Sequence, residues 1–192
     1  MLIKQITLRT IGFMQTRLPQ KPVNLLLVED NEGDVLLFRE AFEDSKIIGV
    51  LHVVSDGEQA VKFIKGETPY EHEPRPDLVL LDINLPKKTG LEVLASAKSS
   101  PTTSKIPVIM LTSSASKYDI NQSYENHANS CIVKPLDAEG LSSTVQAIEA
   151  FWLKVAALPP IDSSTTIWIC RHMLTFICLH RQCLGEPTDN SS

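Results

Sequence analysis

Four apolar runs in this chain each end at a residue whose side chain can do chemistry. They lead into Glu29 and Asp30, into Asp82, into Thr112 and into Lys134. Carboxylates brought together repel one another unless a cation lies among them, and hard oxygen ligands favour Mg²⁺ or Mn²⁺. A carboxylate beside such a cation can attack a phosphoryl group, whose oxygens an ammonium and a hydroxyl then stabilise. The residue types therefore predict a joint site for a divalent metal and a phosphoryl group.

Two of these residues also have simpler interpretations. Asp30 could cap a helix that begins near Gly33, and Lys134 could be a surface lysine before a turn. A cap would not account for Asp82 and Lys134, however, and the position directly after a buried strand is unusual for a solvated lysine. We expect a cis Lys134-Pro135 bond, because it would fix the direction in which the lysine points.

The elements that must position these side chains follow from the apolar pattern. Continuous apolar runs are typical of parallel strands with both faces buried. Strands are predicted at 23–29, 49–54, 77–82, 106–111 and 130–133, and helices at 33–45, 58–65, 91–98, 116–127 and 137–156. Five βα units with right-handed crossovers predict an α/β, flavodoxin-like (βα)5 doubly wound parallel sheet with strand order 2-1-3-4-5. Ligands of such sheets bind at the carboxyl ends of the strands, where the four runs end.

The apolar face of the first helix and the end of the last helix need separate predictions. We assign the first face to six residues: Val35, Leu36, Leu37, Phe38, Ala41 and Phe42. Phe151, Trp152 and Leu153 end the last helix, where they either close the core or anchor a partner or homodimer contact.

The domain organisation follows from composition along the 192 residues. Residues 1–21 form a basic N-terminal extension, for which an organellar presequence and an upstream extension both stay open. Residues 22–158 hold the domain, and 159–192 form a C-terminal tail, with one helix at most and otherwise disordered. Cysteines and histidines in that tail, among them Cys170, His172, Cys178 and His180, lack the spacing of a zinc site.

Composition also limits the partners and the compartment. The net charge of -5 gives no electrostatic case for nucleic acid, and the short tail is too neutral for a DNA-binding module. No apolar stretch approaches the roughly 20 residues that span a bilayer. The four cysteines do not suggest a secreted disulfide scaffold, so we expect a cytoplasmic protein with no membrane partner.

Five motifs, in order, resemble the response-regulator receiver domain of two-component signalling. They are Leu26-Leu27-Val28-Glu29-Asp30-Asn31, Leu80-Leu81-Asp82-Ile83-Asn84-Leu85-Pro86, Gly90, Leu111-Thr112-Ser113 and Val133-Lys134-Pro135, and the likeness covers about 22–158. It implies that Asp82 is the phosphoacceptor and that Glu29 and Asp30 form an acidic pair, with Asp30 a direct metal ligand. It also implies that Asn84 offers its backbone carbonyl to the metal. Thr112 and Lys134 would be the switch hydroxyl and the partner lysine.

The same resemblance points to residues that modulate the site. In receivers, the positions of Asn84 and Ser114 tune how long the phosphoryl group survives, and small Ser113 would leave it accessible. Cys131 stands where many receivers carry Tyr or Phe, so a switch by a large ring is not available here. The loop after strand four, Tyr118 or Tyr124 could transmit the signal instead, although half-buried helix packing would equally explain both tyrosines.

A finer likeness is to the small stand-alone receivers of the cyanobacterial phytochrome response regulators. It rests on a proline-bearing loop before strand three, on Asn126-His127-Ala128-Asn129 and on Phe151-Trp152-Leu153. It implies a single-domain switch that accepts a phosphoryl group from a phytochrome-like sensor histidine kinase with Mg²⁺, or Mn²⁺, and catalyses only its own phosphorylation and dephosphorylation. The affected surface, helix four to helix five, would contact a partner or a second copy.

Other functions fit the sequence less well. An aspartyl-phosphate phosphatase or phosphotransferase would want a second Asp at the position of Asn84 and a substrate cap, which no insertion here is large enough to form. A relay intermediate without its own output, a DNA-binding regulator and a degenerate receiver used as a scaffold are further alternatives.

Overall fold

A single parallel sheet forms the centre of the computed structural model, which describes residues 22–45, 48–114 and 116–159. Its strands are β1 (Val23–Val28), β2 (Gly49–Val54), β3 (Leu78–Asp82), β4 (Val108–Thr112) and β5 (Ser130–Val133). The helices between and after them are α1 (Glu32–Asp44), α2 (Gly57–Lys65), α3 (Gly90–Ser99), α4 (Lys117–Glu125) and α5 (Ala138–Ile148). The strand order is β2-β1-β3-β4-β5 with every pair parallel, so the predicted fold class is confirmed. The predictions for 1–21 and 160–192 lie outside the described residues.

Both faces of the sheet are covered, which explains why its central strands are apolar at every position. All five residues of β3 and all five of β4 are buried. On one face, alternate strand residues pack against α2 and α3, with Phe63, Ile64, Val93 and Leu94 in the core. On the other face, the remaining strand residues pack against α1 and α5, with Phe38, Leu141, Val145 and Ile148 in the core.

The strand register brings the chemically active ends together. Val28 pairs with Leu81, and Asp82 pairs with Leu111. Thr112 pairs with Val133, the residue before Lys134. Because parallel strands in this register end at nearly the same height, the residues that close or follow them share one edge of the sheet.

The first helix departs from the prediction in its cap and in its apolar face. Asn31 is the N-cap, accepting hydrogen bonds from the backbone N–H groups of Gly33 and Asp34, so Asp30 does not cap this helix. Leu36, predicted to lie on the apolar face, is 56% exposed. The reason is geometric: residues 35–38 are four apolar residues in succession, and a helix of 3.6 residues per turn cannot turn all four towards one side.

The last helix ends differently from the predicted continuous helix 137–156. The α-helix stops at Ile148 and a π-helical turn follows over Glu149–Leu153. Trp152 and Leu153 pack against the core on the α1 and α5 side, whereas Phe151 is 55% exposed. Of the two predicted roles, core closure therefore applies to Trp152 and Leu153, whereas a partner contact through Phe151 stays a prediction.

Helix α4 is shorter than predicted and carries two exposed rings. Tyr118 is 69% exposed and Tyr124 is 52% exposed, so neither is half-buried by helix packing as one interpretation held. Helix α4 buries Ser123 alone among its nine residues. None of the described helices combines the length and the apolar character needed to cross a membrane.

Candidate functional site

Three carboxylates meet at the carboxyl edge of the sheet. Glu29 and Asp30 follow β1, Asp82 closes β3, and one oxygen from each lies within 4.8 Å of the others. Glu29 and Asp82 are buried, whereas Asp30 is exposed. Grouped carboxylate oxygens at this spacing are the donor set of a hard divalent cation, and the open side at Asp30 leaves room for the waters that Mg²⁺ retains.

Lys134 supplies the positive charge of the cluster. Its ammonium contacts Glu29 Oε2, lies 3.0 Å from Asp82 Oδ2 and lies 3.0 Å from Asp34 Oδ2. The lysine side chain is only 9% exposed, so it is not a solvated surface residue. Burial opposes its charge, but hydrogen bonds to Glu29, Asp34 and Asp82 raise the pKa of Lys134 above its ordinary value. The ammonium therefore stays protonated at neutral pH.

The predicted cis Lys134-Pro135 bond is wrong. Among the described residues the cis peptide bond is Thr68-Pro69, and Lys134-Pro135 is trans. Three carboxylates orient the lysine instead: Glu29 after β1, Asp34 in α1 and Asp82 at the end of β3.

Asp34 is the member of this group that the sequence did not reveal. It lies in the first turn of α1, where an acidic residue is favoured by the helix dipole whatever else it does. Its contact with Lys134 joins residues 100 positions apart and depends on how α1 is placed against β5. The acidic residue at position 34 was thus visible in the sequence, but its favourable place in the first turn of a helix was enough to explain it.

Burial and charge act in opposite directions on Glu29. Burial raises the pKa of its carboxyl, the hydrogen bond from Lys134 lowers it, and the nearby charge of Asp82 raises it again. The net shift is upward. A cation that entered this cluster would favour the ionised carboxylate and reverse that shift.

The Thr112 hydroxyl lies at the end of β4 and is fully buried. It donates a hydrogen bond to the carbonyl oxygen of Ser114 and accepts one from the Ser114 backbone N–H. A hydroxyl has one hydrogen to donate, so Thr112 does not donate to Asp82 in this conformation. Ser113 and Ser114 are exposed beside it.

The loop after Asp82 is tied to the start of α2. Asn84 is exposed, and its backbone N–H lies 3.4 Å from Asp82 Oδ1. Lys87 has a positive φ of 66°, and its Nζ lies 2.6 Å from Oδ2 of Asp56, the N-cap of α2. Burial alone would raise the pKa of Asp56, but hydrogen bonds from Lys87 and Gln59 outweigh it and hold the pKa at about 2. The Asp56–Lys87 ion pair thus anchors the loop that carries Asn84.

Cys131 lies in β5 and is half-buried against the α2 and α3 side of the core. Burial raises the pKa of its thiol, a hydrogen bond with Ser123 lowers it, and the charge of Asp119 raises it. The net shift is upward, so the thiol is a weak nucleophile held as part of the packing.

The sequence matches the family described as the response regulator receiver domain over residues 25–146. The chain belongs to this family. Response regulator Rcp1 of Synechocystis sp. is 44% identical over 138 residues, which cover 72% of this chain and 94% of Rcp1. This receiver therefore acts in two-component signalling, as the sequence motifs predicted.

Two solved structures show the same relationship. The Mn²⁺-bound form of Rcp1 has a TM-score of 0.69 at 43% identity, covering 72% of this chain and all of that one. The phosphorylated cyanobacterial phytochrome response regulator RcpA has a TM-score of 0.71 at 43% identity, covering 73% of this chain and all of that one. The predicted resemblance of this receiver to the cyanobacterial phytochrome response regulators is confirmed.

Proposed function

We propose that the receiver unit, residues 22–158, accepts a phosphoryl group on Asp82 from a sensor histidine kinase and changes its partner contacts in response. The observation that carries this proposal is the position of Asp82 Oδ2, 3.0 Å from the Lys134 ammonium and within the same cluster as Glu29 and Asp30. An acid that is buried, paired with a fixed cation and next to a metal-type donor set is suited to carry a phosphoryl group. The similarity to RcpA supports a phytochrome-like kinase as the donor.

Mg²⁺ is the cofactor that we propose, with Mn²⁺ as a substitute. Asp30 would bind it directly. Glu29, the Asp82 carboxylate and the Asn84 backbone carbonyl would be the remaining protein ligands. The grouped oxygens within 4.8 Å fit such an ion, and Rcp1 binds Mn²⁺ in its own structure. When bound, the ion neutralises negative charge on the phosphoryl oxygens.

Asp82, Lys134 and Thr112 have separate roles in phosphoryl transfer. An oxygen of Asp82 forms the new bond to phosphorus, and the bond from phosphorus to the leaving group of the donor breaks. Lys134 neutralises charge on Asp82 and on the transferring oxygens. Thr112 must release the Ser114 carbonyl before its hydroxyl can donate to the phosphoryl group, which links phosphorylation to the loop after β4.

The surface from α4 to α5 is where we propose that the signal is read. It carries large apolar side chains that are exposed: Tyr118, Tyr124, Val133, Leu136, Phe151 and Val155. Such side chains favour a partner or a second copy of this chain rather than nucleic acid, which the net charge of -5 also disfavours. We place the protein in the cytoplasm and assign it no catalysis beyond its own phosphorylation and dephosphorylation.

Acetyl phosphate with Mg²⁺ tests the acceptor directly, by intact-protein mass. Wild type should gain one phosphoryl group that hydroxylamine removes, and chelation of the metal should abolish the gain. Asp82→Asn should gain nothing. Asp44→Asn, which changes an exposed carboxylate at the far end of α1, is the matched control and should behave as wild type. Unchanged phosphorylation of Asp82→Asn would refute the proposal.

Size-exclusion chromatography of the phosphorylated protein tests the surface from α4 to α5. Phe151→Ser removes an apolar side chain that is 55% exposed, and Leu36→Ser removes one that is 56% exposed on α1. We expect phosphorylation-linked association to weaken in Phe151→Ser and to persist in Leu36→Ser. Equal loss in both variants would place the contact elsewhere.

A further inference from the structure

Asp34, which lies outside the cluster of Glu29, Asp30 and Asp82, also contacts Lys134. Asp34 Oδ2 lies 3.0 Å from the lysine Nζ, the same distance as Asp82 Oδ2. Its place is fixed by the start of α1, since the Asp34 backbone N–H donates to the capping side chain of Asn31 at 3.0 Å. Asp34 is therefore built into the surroundings of the lysine by a defined helix start.

The three contacts use the whole hydrogen-bonding capacity of the ammonium. A lysine has three N–H donors, and Lys134 directs them to Glu29, Asp34 and Asp82. A phosphoryl group on Asp82 brings several new oxygens. The lysine donor now directed at Asp82 can pass to one of them, and Lys134 can bind a second only by releasing Glu29 or Asp34. The same contacts raise the pKa of Lys134, so the lysine stays protonated and keeps all three N–H donors.

Asp34 is the carboxylate that is released at least cost. Its side chain is 36% exposed, whereas that of Glu29, the other carboxylate that keeps its charge after phosphorylation, is 1% exposed. Water can solvate Asp34 once the lysine leaves, but a buried carboxylate that loses its partner stays unpaired. The contact from Lys134 to Asp34 is thus the one that competes with the phosphoryl group.

We propose that Asp34 is a positioning residue that restrains Lys134 in the unphosphorylated state and thereby limits the fraction of the protein that is phosphorylated. This rests on the proposed role of Asp82 as acceptor. The charge of Asp34 acts in the same direction, because a carboxylate close to Lys134 also repels the added negative charge of the phosphoryl group.

The test compares phosphorylated fractions at sub-saturating acetyl phosphate and saturating Mg²⁺. Asp34→Asn should raise the fraction roughly two- to fivefold, the range that one partly exposed ion pair supports. Glu32→Gln is the matched control, because it removes an exposed carboxylate from the same helix turn. Asp34→Glu, which keeps the charge, should stay near wild type.

The outcomes separate this proposal from the function on which it rests. Both Asp34→Asn and Glu32→Gln should stay folded at the assay temperature and saturated with Mg²⁺, so that a difference in phosphorylation reports on Lys134. A fraction in Asp34→Asn that equals or falls below that of Glu32→Gln overturns the role of Asp34. A wild type that takes up no phosphoryl group overturns the proposed function itself.

Discussion

The Thr112 hydroxyl donates a hydrogen bond to the Ser114 carbonyl at 2.9 Å and accepts one from the Ser114 N–H at 3.1 Å. This pair of contacts closes the turn directly after β4. The hydroxyl is buried and has a single hydrogen, so it cannot donate to the Ser114 carbonyl and to a phosphoryl group on Asp82 at the same time. A phosphoryl group on Asp82 that accepted this hydrogen would break the contact of Thr112 with Ser114, and the loop that leads to α4 would then be released.

We predict that Thr112→Val lowers the free energy of unfolding by about 1 kcal/mol, because it leaves the Ser114 backbone groups without this partner. Urea denaturation measures the change. Thr144→Val is the control, since its hydroxyl donates to Gly140, a carbonyl within α5 that the helix also satisfies. A cost no larger than that of the control would show that the contact between Thr112 and Ser114 does not stabilise the turn.

Replacement of Lys134 by methionine should separate metal binding from phosphoryl transfer. Loss of the ammonium leaves Glu29, Asp34 and Asp82 without their counter-charge. Mg²⁺ should then bind at least about fivefold more tightly, since one unit charge about 4 Å away is worth about 1 kcal/mol even in water. The phosphorylated fraction should fall.

Calorimetric titration with Mg²⁺ checks the first half of that prediction. Lys88→Met is the control, because Lys88 is exposed on the loop after Asp82. Weaker Mg²⁺ binding in Lys134→Met would mean that the lysine supports the metal-type donors rather than competing with a cation.

The ion pair between Asp56 and Lys87 predicts a dependence of stability on pH. The pKa of Asp56 falls from its ordinary value of 3.8 to about 2 in the folded protein. A carboxyl whose pKa is depressed by folding stabilises the fold above the unfolded value and loses that contribution as pH falls towards the folded value. Asp56→Asn should therefore cost about 1–2 kcal/mol at pH 6, because it removes the charge that pairs with Lys87 while asparagine still serves as an N-cap, and it should cost less as pH falls from about 4 towards 2.

Urea unfolding of Asp56→Asn and wild type across this pH range provides the measurement. Glu58→Gln changes an exposed carboxylate in the first turn of the same helix and should show a small, nearly constant difference. A difference between Asp56→Asn and wild type that widens on acidification would contradict the assignment.

Gly90 allows α3 to approach the backbone of Asp82, the proposed acceptor. A Cβ at this position would lie 2.0 Å from the carbonyl oxygen of Asp82 and 2.9 Å from the Cα of Ile83. Gly90→Ala should lower the free energy of unfolding by about 1–3 kcal/mol and reduce phosphorylation, because the Asp82 backbone must shift.

Gly33→Ala is the control for Gly90→Ala, and both variants are measured by thermal unfolding and by phosphorylation with acetyl phosphate. A Cβ there meets only the side-chain oxygen of Asn31, at 3.1 Å. Equal effects of the two substitutions would show that the close approach at Gly90 is not what positions Asp82.

The strand ends of this site could be predicted from sequence because their signal is local. The apolar runs before Asp82 and Lys134 mark buried strands, and parallel strands end at one edge whatever the details of packing. Side chains placed by strand register therefore come together as expected, among them Glu29, Asp30 and Asp82.

Features that depend on the placement of helices could not be predicted in the same way. The contact of Asp34 with Lys134 depends on how α1 packs against the sheet, and four successive apolar residues left the face of Leu36 ambiguous. Three carboxylates orient Lys134, and the Lys134-Pro135 bond is trans, so the direction of the lysine was not a reason to expect a cis bond. The π-helical end of α5 carries no sequence signal that distinguishes it from a regular helix end.

Borohydride reduction of protein phosphorylated with acetyl phosphate and Mg²⁺ tests the central claim most directly. Reduction converts the side chain of an aspartyl phosphate to that of homoserine, and peptide mass spectrometry then locates the altered residue. We predict homoserine at position 82 and at no other aspartate. Homoserine at position 30 or 34, or an unaltered residue 82 in protein that carries a phosphoryl group, would contradict the assignment of Asp82 as the acceptor.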